Sequence, residues 1–250
     1  MHCEDANLFL LNSNGFDYID IDPFGTPNPF LDSAIKRISR QGILAITATD
    51  TAALCGTYPD ACQRKYWATP NRTEIMHEIG LRILIRKCQL IGAQFDKALI
   101  PIFSYSIEHY MRIFFLCEKG KKKVDETLAK HGNFNNSGPM WLGSLWEEKI
   151  IEKMILNYKK IYENNNSTIS SKEIENLLNK IKQESKINAI GFYHLPSVAK
   201  RNSLGVLPKQ NAIIESIIKK GYVGSPTHFK ENSIRTNISE KELSKIIKEI

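Results

Sequence analysis

The chain has 250 residues, 42% hydrophobic and 24% charged, with a formal net charge of +7. That composition excludes wholesale disorder and suits one large or two modest domains. The longest N-terminal apolar run, residues 8–11, is too short for a signal-peptide core, and no stretch approaches the roughly 18 apolar residues of a membrane span.

Residues 16–22 (FDYIDID) read as a strand, because aromatic and β-branched residues end abruptly in Pro23, Gly25 and Pro27. Phe30 to Ile38 has helical spacing (Leu31, Ala34, Ile35, Ile38), and Gly42 is expected to close that helix. Ile43 to Thr47 is a second, continuously apolar strand. Strands of this kind, joined by a helix, form a βαβ unit whose sheet is expected to be covered on both faces. A long helix follows from Asn71, as N-cap, to Ile91 near Gly92. The segments 98–107 and 110–117, separated by Glu108 and His109, read as an antiparallel pair at the far edge of a mixed sheet.

After Gly120 the texture changes. Lys121 to Lys123 start a charged, helix-capable run, and 133–138 (NFNNSG) reads as a loop. Glu147 to Tyr162 is an amphipathic helix broken by Asn164, Asn165 and Asn166. Ser170 and Glu173 fit a capping box before Ile174, Leu177, Leu178 and Ile181. Residues 192–250 suggest helix, turn, helix and a β-ribbon around Gly221–Gly224, an order compatible with a winged helix. Charge divides along the same line: residues 1–115 carry 11 Lys/Arg against 12 Asp/Glu, and residues 116–250 carry 23 against 15. A basic half beside a neutral one points to a polyanion-binding module joined to something else.

The five cysteines (Cys3, Cys55, Cys62, Cys88, Cys117) form no C-x-x-C pair. They argue against a disulfide framework and against bound metal, and for a reducing, cytoplasmic setting. His77-Glu78 lacks a second histidine four residues on, so Glu74, His77, Glu78 and Arg82 are expected to form structural pairs on their helix.

Chemistry concentrates at Asp22-Pro23-Phe24-Gly25, at the carboxyl end of the first strand, where open α/β sheets bind ligands. A carboxylate, a proline carbonyl and an aromatic ring suit an exocyclic amine on a planar base. Such an amine is a poor nucleophile, its lone pair being delocalised into the ring. Acceptors at Asp22 and Pro23 would hold its hydrogens and aim the lone pair, while Phe24 stacks on the base. Asp-Pro after a strand is also an ordinary turn, so the tetrapeptide gains weight from its company.

That company resembles the tRNA guanine-N2 dimethyltransferases, which modify guanosine 26 using S-adenosyl-L-methionine. The resemblance rests on residues 4–7 (EDAN), 17–27 (DYIDIDPFGTP), 46–56 (ITATDTAALCG), 64–82 (RKYWATPNRTEIMHEIGLR), 109–112 (HYMR), 138–145 (GPMWLGSL) and 226–229 (PTHF). It implies an α/β fold: the C-terminal half of a class I, Rossmann-like methyltransferase sheet in residues 1–118. A smaller, basic α+β tRNA-binding domain with a winged-helix-like end would occupy 119–250. It implies Asp22, Pro23 and Phe24 as catalytic residues, Asp5 and Ala6 as cofactor contacts beside adenine, and Asp50 near the same crevice.

The family's glycine-rich cofactor loop precedes the D-P-F-G strand, whereas only 21 residues precede Asp22 here and no G-x-G occurs. The expectation is a truncated form with an unpaired edge beside 16–22, completed by an upstream segment or by a separate chain. The alternative is a catalytically inactive RNA-binding remnant. Extruding guanosine 26 from its stack must be offset by phosphate contacts, for which Lys200, Arg201, Lys219, Lys220, Lys230 and Arg235, interleaved with Tyr222, His228 and Phe229, are the candidates. Trp141 is expected at the domain junction.

Overall fold

A computed structural model describes residues 3–107, 109–163 and 171–250. The readings at Glu108, at Asn164, Asn165 and Asn166, and at the Ser170 half of the capping box lie outside the described residues. The chain forms two compact units, Met1–Leu145 and Trp146–Ile250. Among the described residues, no helix is long and apolar enough to cross a membrane.

The first unit runs α1 (Ala6–Asn12), β1 (Phe16–Ile21), α2 (Asn28–Arg37), β2 (Ile38–Ala48), α3 (Thr51–Leu54), α4 (Pro59–Tyr66), α5 (Met76–Ala93), β3 (Lys97–Ile107) and β4 (Tyr110–Lys119). It ends with α6 (Lys121–Leu128) and the hairpin β5 (His131–Phe134) and β6 (Ser137–Trp141). The main sheet has the order β1-β2-β4-β3. β1 and β2 are parallel, and β4 is antiparallel to both β2 and β3. The βαβ unit and the antiparallel pair are thus present, with β4 inserted between β2 and β3. β1 is the edge strand.

Burial on β4 alternates, Met111, Ile113, Phe115 and Cys117 being buried and Tyr110, Arg112, Phe114 and Leu116 only half so. The buried face meets α2 and α5, which contribute Leu31, Ala34, Ile35, Ile79, Leu81 and Ile83. The opposite face carries Tyr18, 52% exposed, with half-buried Ile43, Phe114 and Leu116. The sheet is therefore not sealed on both sides as its apolar strands suggested. β2 reads as continuously apolar because Ala45 and Thr47 are small enough to lie buried on the more open face.

Several boundaries differ from the sequence reading for identifiable reasons. The helix α2 ends at Arg37, and Gly42 lies within β2, where an added Cβ would meet the Asp17 carbonyl at 3.1 Å. Residues 39–42 form an irregularity in the β1–β2 register, which steps from Phe16↔Ile38 to Tyr18↔Ile43. α5 begins at Met76 rather than after Asn71, whose side-chain amide instead donates to the Asn135 carbonyl at 3.4 Å. Residues 133–138 form the β5–β6 hairpin instead of an irregular loop. Asn135 and Asn136 both have positive φ (48° and 59°), which asparagine tolerates in a two-residue hairpin turn.

The first unit extends past residue 118 to Leu145. Lys121, Lys122 and Lys123 are an exposed helix face, while Val124 and Thr127 on the other side of α6 are buried. β6 is fixed to α5 through Arg82, which donates to the Trp141 carbonyl at 3.0 Å and the Gly143 carbonyl at 2.9 Å. Arg82 also pairs with Glu78 at 2.9 Å, both buried, as expected of structural partners on one helix. Trp141 packs within this unit, its indole N–H donating to the Ser144 carbonyl at 2.8 Å.

The second unit contains α7 (Glu148–Glu163), α8 (Ser171–Glu184), β7 (Tyr193–His194), α9 (Leu195–Arg201), α10 (Gln210–Lys219), β8 (Gly224–Pro226), β9 (Ser233–Thr236) and α11 (Glu240–Lys248). Its sheet has the order β7-β9-β8, all antiparallel. With α9 and α10 between β7 and β8, this is winged-helix connectivity, its core formed by Leu195, Val198, Ile213, Ile217, Ile234, Leu243 and Ile246. The ribbon starts at Gly224, because Gly221, with φ 84°, follows the C-terminus of α10. Beside that core, the Glu184 carboxylate meets the His228 ring at 2.5 Å and the Arg235 guanidinium at 3.1 Å, all three side chains essentially buried.

Candidate active site

β1 and β2 run parallel and end together, so the residues just past their carboxyl ends share one rim. There Asp22, Thr47, Thr49, Tyr105, Tyr110 and Arg112 line an open cleft of about 370 Å³. Tyr105 comes from the end of β3 and Tyr110 and Arg112 from the start of β4, so the β3–β4 hairpin closes the cleft's far side. The register places Thr47 opposite Arg112 and Arg112 opposite Tyr105.

Arg112 is the cleft's cation. Its guanidinium pairs with Asp20 at 2.5 Å, donates to the Thr47 hydroxyl and lies 4.9 Å from the Phe114 ring centre. Burial opposes the charge, but the Asp20 carboxylate outweighs it and holds the Arg112 pKa above its ordinary value. Burial raises the Tyr105 pKa, and Tyr110 adds to the shift, so Tyr105 is a protonated donor at neutral pH. Asp20 is neutralised by its arginine, which leaves Asp22 as the carboxylate in the cleft without a cationic partner among the described residues.

The D-P-F-G turn is held to the exit of β2. Gly25 N–H donates to the Thr49 hydroxyl at 2.6 Å, and Thr49 N–H returns a bond to the Gly25 carbonyl at 2.9 Å. Gly25 has φ 81°, a conformation that glycine adopts without steric cost. The turn leaves Asp22 exposed at the rim, Pro23 half-buried and Phe24 wholly exposed. Asp22 therefore lines the cleft, while the Phe24 ring stands out from the turn and does not line it.

Other candidate residues are distributed differently. Asp50 is taken up outside the cleft lining, with Lys65 Nζ at 2.9 Å and the Tyr66 hydroxyl at 3.2 Å. Asp5 and Ala6 are exposed at the start of α1, where the Asp5 carboxylate accepts from Leu8 N–H at 3.0 Å as a helix N-cap. Asn7 accepts from the Ser33 hydroxyl at 2.5 Å, which fastens α1 to α2, the helix that follows the D-P-F-G turn.

In the second unit Lys200 and Lys219 are exposed and Lys230 is half-buried. Arg201 forms a two-point pair with Glu240, both contacts 3.0 Å, and Lys220 pairs with Glu249 at 2.6 Å. Arg235 corrects the sequence reading: it is fully buried against Glu184 and cannot present its charge to a polyanion. His228 and Phe229 are likewise interior rather than interleaved with surface cations, and only Tyr222 is exposed. Alternation within so short a strand did not reveal that Arg235 faces inward.

Sequence reasoning assigned no role to Thr47, Thr49, Tyr105, Tyr110 or Arg112. The segment HYMR was visible as part of the resemblance, yet the place of Tyr110 and Arg112 in the cleft depends on β4 lying beside β2, which local patterns do not disclose.

Comparison with known proteins agrees with this architecture. The profile of the N2,N2-dimethylguanosine tRNA methyltransferase family matches residues 1–135 and 129–248. A tRNA (guanine(26)-N(2)/guanine(27)-N(2))-dimethyltransferase of Aquifex aeolicus is 38% identical, over 100% of this chain and 69% of its own length. A tRNA (guanine(26)-N(2))-dimethyltransferase of Pyrococcus horikoshii is 35% identical, over 99% of this chain and 68% of its own. The solved structure of Trm1 from Pyrococcus horikoshii in complex with S-adenosyl-L-methionine superposes with a TM-score of 0.87 at 35% identity, covering 98% of this chain and 69% of that one. The chain belongs to the N2,N2-dimethylguanosine tRNA methyltransferase family.

Proposed function

We propose that this protein methylates the exocyclic amine of guanosine 26 in tRNA, with S-adenosyl-L-methionine as methyl donor. The observation that carries the reading is Asp22, set in a cleft whose cation is already matched by Asp20. Asp22 and the Pro23 carbonyl accept the hydrogens of the guanine amine and turn its lone pair outward. As the amine bonds to the methyl group it gains positive charge, which the unmatched Asp22 carboxylate stabilises. The proton then leaves to Asp22 or to water. Phe24, wholly exposed on the same turn and outside the cleft lining, is available to stack on the extruded base at the rim and so to help offset unstacking, a cost of a few kcal/mol.

The residues present fit one end of the cofactor. Asp5 uses one carboxylate oxygen in its cap, and the exposed carboxylate has a second oxygen suited to an adenine amino group beside Ala6. When bound, S-adenosyl-L-methionine supplies an electrophilic methyl group on positively charged sulfur. The remaining contacts come from a further polypeptide segment, upstream or on a separate chain, that pairs with the edge of β1 and covers the face bearing Tyr18 and Phe114. The first unit performs the chemistry and the second holds tRNA phosphates through Lys200, Arg201, Lys219, Lys220 and Lys230. The work takes place in the cytoplasm.

Incubation with methyl-labelled cofactor and tRNA, alone and after addition of the N-terminal portion of a relative, tests the reading. Label is expected in N2-methylated guanosine at position 26. Label at another base would overturn the assignment to guanosine 26, and none in either arm with tRNA binding intact would support the RNA-binding remnant instead. Affinity for tRNA should fall steeply with salt, with log K against log[salt] losing about 0.7–0.9 per phosphate neutralised. A flat response in filter binding would discard the electrostatic docking of the second unit.

A further inference from the structure

Guanine shows two donors, the 2-amino group and N1–H, and then one acceptor, O6, along the edge that Asp22 engages. A carboxylate satisfies only the donors. Selecting guanine requires a fixed donor at the O6 end of the same cleft, and this requirement rests on the functional reading above.

We propose that Arg112 is that donor, reading O6 of the base whose amine Asp22 holds. Asp22 follows Ile21, which pairs with Ile46 on β2, and the next row of the sheet is Thr47, Arg112 and Tyr105. Asp22 and Arg112 thus lie at one level of the sheet and line one cleft. The guanidinium is held from two sides by Asp20 and Thr47, and from a third by the Phe114 ring. Those two bonds use two of its five N–H donors. Its side chain is 16% exposed, open to the cleft and shielded from bulk water.

A donor fixed before the base arrives loses little freedom on binding and is charge-assisted. The other lining groups are hydroxyls and Asp22, so Arg112 is the cleft's only cationic donor among the described residues. Adenine would present an amino group, itself a donor, at the position of O6. Facing Arg112, that group would leave both donors unpaired, so the site rejects adenine as well as accepting guanine.

A structural strut between β1 and β4 would use the same contacts, and only a readout of base identity separates the two roles. The test compares equilibrium binding of tRNA bearing guanine or 2-aminopurine at position 26; 2-aminopurine keeps the 2-amino group and lacks both O6 and N1–H. Wild-type protein should prefer guanine. In Arg112→Gln that preference should shrink about 5- to 150-fold, the discrimination typical of a good base contact. Arg112→Lys, which keeps a charged donor and is less disruptive to packing, should retain part of it.

A strut would weaken binding of both RNAs equally, and an unchanged preference in both variants overturns the assignment. Equal affinity of the wild-type protein for the two RNAs, with binding intact, also overturns it and leaves the functional reading standing. Absence of tRNA binding by the wild-type protein overturns both.

Discussion

Asp22→Ala is expected to lower the single-turnover rate of methyl transfer by about 10²- to 10³-fold, the usual cost of removing one preorganised group from a developing charge. Affinity for tRNA should fall by only about tenfold, the worth of the lost bonds to the base amine, because the phosphate contacts are assigned to the second unit and remain. The reasoning is electrostatic. Asp20 lies on the same face of β1 two residues earlier, but its charge is matched by Arg112 at 2.5 Å. Asp22 therefore faces the developing ammonium without competition. Asp22→Asn should behave like Asp22→Ala in rate, since the amide can accept one hydrogen but carries no charge. Retained turnover in either variant would remove Asp22 from the mechanism.

The second large effect concerns stability. Glu184 is buried and lies between His228 and Arg235, whose guanidinium also donates to the Ala189 carbonyl at 2.7 Å. Arg235 lies 5.5 Å from the Trp146 ring centre, and the Phe192 and Phe229 rings stack at 6.0 Å, so water has little access to the cluster. Glu184→Ala would leave a buried guanidinium without its carboxylate, a defect that costs about 3–5 kcal/mol. Urea unfolding should show the midpoint falling accordingly in the second unit. Replacement of exposed Lys219 by alanine should change stability by less than about 0.5 kcal/mol.

The same group predicts an acid response. Burial alone would raise the Glu184 pKa, but the His228 and Arg235 charges, with hydrogen bonds from His228 and Thr227, outweigh it and hold the value below the ordinary 4.5. A carboxylate whose folded pKa is depressed contributes stability that is present in full above its unfolded value. That contribution is lost as pH falls through the folded value. The wild-type protein should therefore lose stability below about pH 4.5 more steeply than Glu184→Ala. Parallel acid profiles for the two proteins would show that Glu184 is not the linked group.

Much of the first unit was legible in the sequence because local signals there coincide with tertiary ones. FDYIDID ends in prolines and glycine, and the strand ends with them; Leu31, Ala34 and Ile35 mark a helix face that is buried. The winged-helix order was readable from helix spacing and the Gly221–Gly224 punctuation. The position of Asp22 at the sheet's carboxyl rim was readable too, because it follows directly from where the first strand ends.

What escaped depended on pairings between distant residues. Arg112 and Asp20 are 92 positions apart, and nothing near either one announces the bond. Arg235 looked like a surface cation because its partner Glu184 lies 51 residues away on another element. Lysines on α6 looked like the start of a basic domain, although the buried side of the helix belongs to the first unit. The hairpin at Asn135–Asn136 was hidden because asparagine-rich turns and irregular loops share a composition.

The most direct test of the grip on an amine-bearing base needs neither turnover nor cofactor. It is competition between tRNA with guanosine at position 26 and tRNA with inosine there, which differs only by loss of the 2-amino group. The protein should favour guanosine by about tenfold or more, the worth of hydrogen bonds to a charged acceptor, and Asp22→Ala should erase the difference. Equal affinity for the two RNAs in the unaltered protein would contradict the account.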